Sequence, residues 1–165
     1  MKMDWLSILT VTAALGSGLM AGTFFAFSSF VMPALARLPT TEGIKAMQSI
    51  NIMILNSLFM VVFLATAALC VVLVIAALMR WGMVGSSSGL QLAGALLYLI
   101  GTLLVTVMFN VPLNQTLAAV TSDSPAAGEV WQRYVETWTV WNHVRTGTAL
   151  VASLVLIVTA LNSSR

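Results

Sequence analysis

The sequence predicts an all-α protein, a four-helix bundle that crosses a membrane, and three observations carry this prediction. Apolar residues make up 59% of the 165 residues, charged residues make up only 7%, and the mean hydropathy is +0.99. Soluble domains carry about 25% charged residues, so this chain cannot cover a water-facing globule. The charged residues also leave four long uncharged intervals, each suited to one crossing of about 20 residues. These intervals lie between Asp4 and Arg37, Lys45 and Arg80, Arg80 and Asp123, and Arg145 and Arg165.

We expect a single domain over residues 1–165, with spans at about residues 5–31, 52–79, 90–109 and 138–161. The first span is predicted to end before Pro33, because proline disfavours helix in the residue preceding it. A short helix capped by Thr40 or Thr41 then leads into the second span. The second span is expected to stop at Arg80, with a serine-rich turn at residues 86–89 before the third.

The last two spans are bounded by prolines. Pro112 is expected to interrupt the third span, since proline lacks the N–H of the helix ladder. Ser124 and Pro125 have the pattern of an N-cap followed by a first-turn proline. No strong breaker follows until Gly147, which membrane helices tolerate. We therefore predict one long last helix over residues 125–161, whose first three turns extend outside the hydrocarbon.

The composition excludes several classes of function. A net charge of +2 from seven basic residues provides no basic patch for nucleic acid. The single Cys70 cannot form an internal disulfide or a cysteine metal knuckle, and one histidine cannot form a cluster of His ligands. The ten methionines show no Met-x-x-Met pattern and are interpreted as apolar filler. We predict no metal site and no cofactor, although a haem shared across a dimer, or copper, stays open.

The distribution of basic residues bears on the orientation in the membrane, and a glycine pair in the first span bears on assembly. Four spans place both termini on one side, with three basic residues there and four on the other side. The long, acid-mixed connection before the last helix favours translocation, so we expect cytoplasmic termini. Gly18 and Gly22 form a small-xxx-small pair that serves either packing within the bundle or a homodimer. Membrane lipid is the expected surrounding partner.

Polar residues of the spans concentrate at the end of the bundle that carries the two long connections. A polar group in hydrocarbon costs several kcal/mol unless it is paired. Their convergence from three helices therefore predicts a protein-lined cavity. The residues concerned are Gln48, Asn51, Asn56, Asn110, Asn114, Gln115, Trp138, Trp141, Asn142, His143 and Arg145.

The last helix presents several of these side chains on one face. At about 100° per residue, Trp138, Trp141, Asn142 and Arg145 share a face with other aromatic residues. That face is either an aromatic belt at the membrane interface or the wall of a ligand pocket. His143 is a candidate general base, but it points more than about 100° away and would enter the pocket only through a helix distortion.

The remaining candidates are asparagines. Asn110 and Asn114 flank Pro112, where they either bind a ligand or cap a broken helix end. Asn51 and Asn56 lie about 140° apart on an ideal helix, so both can line one narrow pocket only if the helix is distorted.

Two polar motifs, together with a Gly-rich and Phe-rich first helix, resemble the anthrone oxygenase-like family of small four-helix membrane proteins. The motifs are Asn110-Val-Pro112-Leu-Asn114 and Trp138-x-x-Trp141-Asn142-x-x-Arg145-Thr146. The resemblance covers nearly the whole chain. Fungal members oxidise anthrones to anthraquinones with O₂, whereas the bacterial relatives, which this chain resembles in length, mostly lack an assigned substrate. The resemblance thus implies a bacterial inner-membrane protein and a cofactor-independent oxidation of a hydrophobic aromatic substrate.

The resemblance also implies roles for the candidates. Trp138 and Trp141 would bind a flat ring, while Arg145 and Asn142 stabilise an oxyanion. Asn110 or Asn114 would assist, with Asn51 and Asn56 as further substrate contacts. The base would be His143 or water.

A different class of function stays open beside catalysis. The same cavity would suit the binding of a lipid, a quinone or another small hydrophobe, or an accessory subunit without turnover. A channel or transporter is less favoured, because the sequence has no charged ring, inverted repeat or pair of broken helices.

Overall fold

The structure is a computed structural model that describes residues 5–80 and 86–163. Within these residues the chain is all-helical and forms five helices. Four of them, all except α2, are long and apolar enough to cross a membrane, which confirms the predicted fold class. The helices are α1 (Trp5–Leu35), α2 (Thr40–Leu55), α3 (Leu58–Met79), α4 (residues 86–118) and α5 (Ala127–Ser163).

The bundle is held together by small residues where helices meet. α5 packs along α1 and α4, and α3 packs against α1 and α4. Ala13, Ala95 and Ala152 are fully buried, so the helix backbones approach closely. Ser153 Oγ donates to the carbonyl of Ala14 over 2.8 Å and ties α5 to α1. Large apolar side chains cover the outside of the spans, as expected for contact with lipid.

Apolar residues form two buried clusters at different heights. The larger cluster lies among the four spanning helices and includes Phe24 and Phe63. The smaller cluster lies at the end with the long connections and includes Met47, Trp131 and Trp138. α2 takes part in the smaller cluster and covers that end of the bundle.

The first helix does not end before Pro33, as the sequence analysis expected, but continues to Leu35. Residues Phe27–Val31 form a π-helical turn, in which the Met32 N–H donates to the Phe27 carbonyl five residues earlier. The wider turn accommodates a proline ring that would otherwise clash with the preceding turn of an α-helix.

The same arrangement carries α4 through Pro112, so the expected interruption there is also wrong. The π-helical turn Thr106–Asn110 ends where the Val111 N–H donates to the Thr106 carbonyl. A regular helix resumes at Val111 and ends at Ala118. Asn110 and Asn114 therefore belong to one continuous helix and do not cap a broken end.

The second predicted span is the one that breaks. α2 and α3 are separated at Asn56 and Ser57, whose backbones leave the helical region. Ser57 Oγ donates to the Ile54 carbonyl over 2.7 Å, which satisfies an acceptor exposed by the break. The resulting bend lets α2 pack across the bundle end.

Three helix starts also differ from prediction. α2 begins at Thr40 after Pro39 without a side-chain cap, so the threonine cap is wrong. The expected turn at residues 86–89 is helical from Ser86. The last helix begins at Ala127, two residues late, and then runs unbroken for 37 residues as predicted.

Candidate functional site

A cavity of about 570 Å³ lies between the two apolar clusters. All five helices contribute to its wall. Exposed residues of α2 and α4, including Ile52, Leu55 and Val111, mark the side where the cavity opens. This opening is therefore bordered mainly by apolar side chains. The volume suits a small organic ligand.

The cavity walls are mainly aromatic. Phe59 and Phe63 stack with centroids 5.9 Å apart, and Phe24 meets Phe59 edge-on at the same distance. Phe27 and Trp138 close another side with centroids 6.0 Å apart. All five rings line the cavity, so it offers flat apolar faces suited to a planar ring system.

Arg145 is the one charged residue in the described lining, and it is 5% exposed. Its guanidinium lies 4.4 Å from the Phe24 ring centroid and 5.1 Å from that of Trp138. The lining residues include no carboxylate. Two aromatic faces and neutral acceptors therefore surround a group that stays positively charged in proteins.

Asn142 and Arg145 form a hydrogen-bonded pair one helical turn apart on α5. Arg145 Nη2 donates to Asn142 Oδ1 over 2.6 Å, and Nη1 donates to Thr106 Oγ1 over 3.3 Å. Asn142 Nδ2 donates to the Phe24 carbonyl over 2.7 Å and to Ser28 Oγ over 2.5 Å. The pair thus links α5 to α1 and α4, and it leaves Arg145 Nε without a partner.

The described residues contain three π-helical segments, Phe27–Val31, Leu99–Leu104 and Thr106–Asn110, and the first and third take part in this pairing. Ser28, which accepts from Asn142, lies in the turn of α1, and Thr106, which accepts from Arg145, lies in the turn of α4. An inserted π-turn rotates the side chains beyond it relative to a regular helix. The acceptors of the Asn142–Arg145 pair therefore lie in the π-helical turns that precede Pro33 and Pro112.

Trp138 is the deepest member of an aromatic column on α5. Trp131 and Tyr134 have centroids 5.9 Å apart, and Tyr134 and Trp138 have centroids 6.2 Å apart. Asn110 Nδ2 donates to the Trp138 carbonyl over 3.3 Å and supports this part of α5 from α4. Trp138 is 6% exposed and its Nε1 has no hydrogen-bond partner.

A second polar group adjoins this column at Tyr134. The Tyr134 hydroxyl donates to Asn114 Oδ1 over 2.9 Å. Asn51 Nδ2 approaches the same tyrosine but has no partner at hydrogen-bond geometry. Gln48 Nε2 donates to the carbonyls of Leu117 and Val120 and holds α2 against the end of α4.

The sequence analysis gave a catalytic or substrate-binding role to nine residues. The structure brings five of them to this site and leaves the other four outside the cavity. Trp138, Arg145, Asn51 and Asn114 line the cavity directly, and Asn142 is buried behind Arg145. The four others are His143, Trp141, Asn110 and Asn56.

Each of these four has a physical reason for its position. His143 is on an exposed face of α5, because the helix is regular there and keeps the side chain turned away. Trp141 stacks on Phe109 with centroids 3.6 Å apart, outside the cavity. Asn110 is buried against α5. Asn56 is exposed at the break between α2 and α3.

The sequence analysis missed several residues of the site. Ser28 and Thr106 are ordinary residues in membrane helices, and their role depends on π-turns that the sequence analysis did not detect. Phe24, Phe59 and Phe63 belong to apolar runs in which no pattern separates cavity walls from lipid-facing positions.

The structure also shows the surroundings of the Gly18 and Gly22 pair and of the side chains that could bind a metal. A side chain at Gly18 would meet Ser153 Oγ of α5 at 3.2 Å, whereas Gly22 has open space around it. Gly18 therefore packs within the bundle. Among residues 5–80 and 86–163, no three His, Cys, Asp or Glu side chains lie close enough together to hold a metal ion.

These features define a class, an integral membrane helical bundle with an aromatic cavity that holds one buried arginine. A family model described as anthrone oxygenase matches residues 59–155, more than half of the chain. The chain therefore belongs to the anthrone oxygenase family, which confirms the resemblance. The match includes α5 as far as residue 155 but excludes α1 and α2, which supply much of the cavity wall. Searches of curated proteins and of solved structures returned no match.

Proposed function

We propose that this protein oxidises a planar aromatic substrate of the anthrone type with O₂, inside the cavity beside Arg145. The observation that carries the proposal is the buried guanidinium, which faces an aromatic cavity and has no carboxylate among the lining residues. A positive charge held ready in a low-dielectric site stabilises negative charge that develops on a substrate oxygen. The family membership supports the same chemistry.

The substrate itself supplies the electrons in this scheme. Loss of a proton from the methylene carbon of an anthrone gives an aromatic enolate, whose oxygen would lie against Arg145. The enolate passes one electron to O₂, and the resulting radical and superoxide combine to form a carbon–oxygen bond. Loss of water from the hydroperoxide then gives the second carbonyl. Overall, one anthrone and one O₂ yield one anthraquinone and one water.

Proton removal is assigned to water at the cavity opening. The described lining has no carboxylate or imidazole, and His143 is exposed on another face of α5. Arg145 would assist by stabilising the enolate relative to the neutral anthrone. Asn142 acts through Arg145, because its Oδ1 fixes the orientation of the guanidinium and its side chain is fully buried.

The test is O₂ uptake by the purified protein in lipid nanodiscs, with anthrone as the probe. Turnover should consume one O₂ per anthraquinone formed. Arg145→Met should reduce the rate about a hundredfold or more, as removal of an oxyanion donor does. Arg133→Gln, which removes an exposed charge from the same helix, is the matched control. Full turnover by both Arg145→Met and Asn142→Ala would reject the scheme.

A second candidate is binding without turnover, and the cavity opening favours it. Exposed apolar residues at that opening would admit a lipid tail or a quinone directly from the bilayer. Mass spectrometry of protein purified without added ligand would distinguish the two. An unchanged hydrophobe at one per chain, together with no O₂ uptake, supports the binding function.

A further inference from the structure

The cavity wall contains three buried N–H groups that have no hydrogen-bond partner. They are Arg145 Nε, Trp138 Nε1 and Asn51 Nδ2, and all three residues line the cavity. Two other buried polar atoms also lack partners, Asn110 Oδ1 and Thr139 Oγ1, but their residues do not line it. The unsatisfied buried groups of the described lining are therefore all donors.

Unsatisfied buried donors are uncommon, because each loses the hydrogen bonds it would make with water. A ligand that supplies acceptors would restore those bonds, whereas a ligand that supplies donors would not. Arg145 adds a full positive charge, and the described lining has no acidic residue to oppose it. Both features favour an anion.

The positions of the donors also restrict the ligand. Trp138 and Arg145 lie two helical turns apart on α5, while Asn51 lies on α2 across the opening. A carbonyl or carboxylate oxygen has two lone pairs, so three donors are satisfied together only by a ligand with at least two oxygens. The aromatic walls contributed by Phe59 and Phe63 suit a flat ring between them.

We propose that the cavity selects planar aromatic acids bound as their anions, with at least two oxygens presented to Arg145, Trp138 and Asn51. This rests on the location of the site in the proposed function but extends it, because a ligand of this class needs no oxidisable methylene. The three nitrogens are covered by neighbouring side chains, so small side-chain rotations accompany binding. Hydroxylated quinone products in their ionised form belong to the same class and should compete with substrate.

The probe is 1-hydroxy-2-naphthoate, a two-ring anion with three adjacent oxygens and no acidic methylene. Its affinity in nanodiscs is compared with those of 1-naphthol, which is neutral, and 1-naphthylmethylammonium, which is a cation. We expect the anion to bind at least about tenfold tighter than either. Equal binding of the neutral or cationic ring would overturn the proposal, and this comparison uses only the unaltered protein.

Matched variants identify the donors. Trp138→Phe and Asn51→Asp should each weaken binding of the naphthoate, the second because it replaces a donor with a negative charge. Trp131→Phe removes an indole N–H from the same aromatic column, and Asn56→Asp adds a carboxylate five residues beyond Asn51 and outside the lining. Equal losses within each pair would contradict the assignment.

The contact between the Trp138 indole N–H and the naphthoate can be observed directly by NMR. In protein labelled with ¹⁵N-tryptophan, the indole resonance that is lost in Trp138→Phe should move downfield when the naphthoate binds. An unchanged resonance at saturating naphthoate would refute the contact.

The outcomes separate this inference from the proposed function. Anthrone turnover without naphthoate binding rejects only the inference. Naphthoate binding without anthrone turnover rejects the oxygenase function and leaves the inference standing.

Discussion

Arg145 has both a structural and a proposed chemical role, and the two make different demands on its side chain. A planar guanidinium reaches Asn142 and Thr106 at once, while its charge lies between Phe24 and Trp138. A lysine carries the same charge but has no such fork. Burying an arginine is costly where the described cavity lining supplies no carboxylate, so Arg145 is a candidate for function.

We predict that Arg145→Lys separates these roles. The variant should keep part of the anthrone turnover, because positive charge stays in the cavity, but it should lose the hydrogen bond to Thr106 that joins α5 to α4. Turnover well above that of Arg145→Met, together with a lowered thermal midpoint in detergent, is the expected result. If Lys and Met variants turned over anthrone equally slowly, charge alone would not explain the role of Arg145.

We predict that His143→Ala keeps the turnover and the pH profile of the unaltered protein. The imidazole is on an exposed face of α5, and the lining of the cavity does not include it. The measurement is the rate of O₂ uptake with anthrone between about pH 6 and 9. A large loss of rate, or loss of an inflection in that range, would show that His143 reaches the substrate after all.

At the scale of elements, the helices meet through glycines and small side chains at positions where nothing larger fits. A Cβ at Gly101 of α4 would clash with the Thr148 side chain on α5. The Thr102 and Thr148 hydroxyls also hydrogen-bond over 3.2 Å beside this contact. Gly101 and Thr102 lie in the π-helical segment Leu99–Leu104, just before the one that contains Thr106, so the spacing of α4 and α5 here also affects the site.

We predict that Gly101→Ala destabilises the bundle by about 1–3 kcal/mol, because it overpacks a helix interface. Gly147→Ala is the matched control, since a Cβ at Gly147 meets nothing within 4 Å. Alanine there should leave stability unchanged or raise it slightly, because alanine favours helix over glycine. Thermal unfolding in detergent compares the two, and equal midpoints would argue against the close approach of α4 and α5.

At the scale of the whole molecule, the cavity lies toward one end of the bundle, away from the start of α1 and the end of α5. Its opening is bordered by exposed apolar residues such as Ile52 and Leu55. In the proposed function, a hydrophobic substrate dissolved in the bilayer would enter the cavity through this opening.

We predict that this cavity end lies on the side away from the cytoplasm, because both termini are expected to be cytoplasmic. A fluorescent reporter fused after Arg165 should therefore fluoresce in a bacterial host. Alkaline phosphatase inserted at residues 121–124, between α4 and α5, should be active. The reverse pattern at both positions would invert the orientation.

The sequence by itself determined the class of this protein. The four uncharged intervals and the 7% charged fraction indicate a chain whose apolar surface is covered by a membrane. Two polar motifs indicated the family, and the family model confirmed it. It also located the polar end of the bundle and the candidates Arg145, Asn142 and Trp138. The class and the family are confirmed, and the structure places these three residues together, because such inferences depend on local composition and helical period.

Only the tertiary structure decided which candidates share one cavity. Two π-helical turns carry α1 and α4 through their prolines, and the break at Asn56 moves α2 across the bundle end. Each event changes the rotation of a helix beyond it, so wheels drawn for ideal helices misplace the side chains there. The aromatic walls of the cavity could not be predicted from the sequence either. A phenylalanine in an apolar membrane helix can face lipid or a cavity, and only the packing of the neighbouring helices decides which.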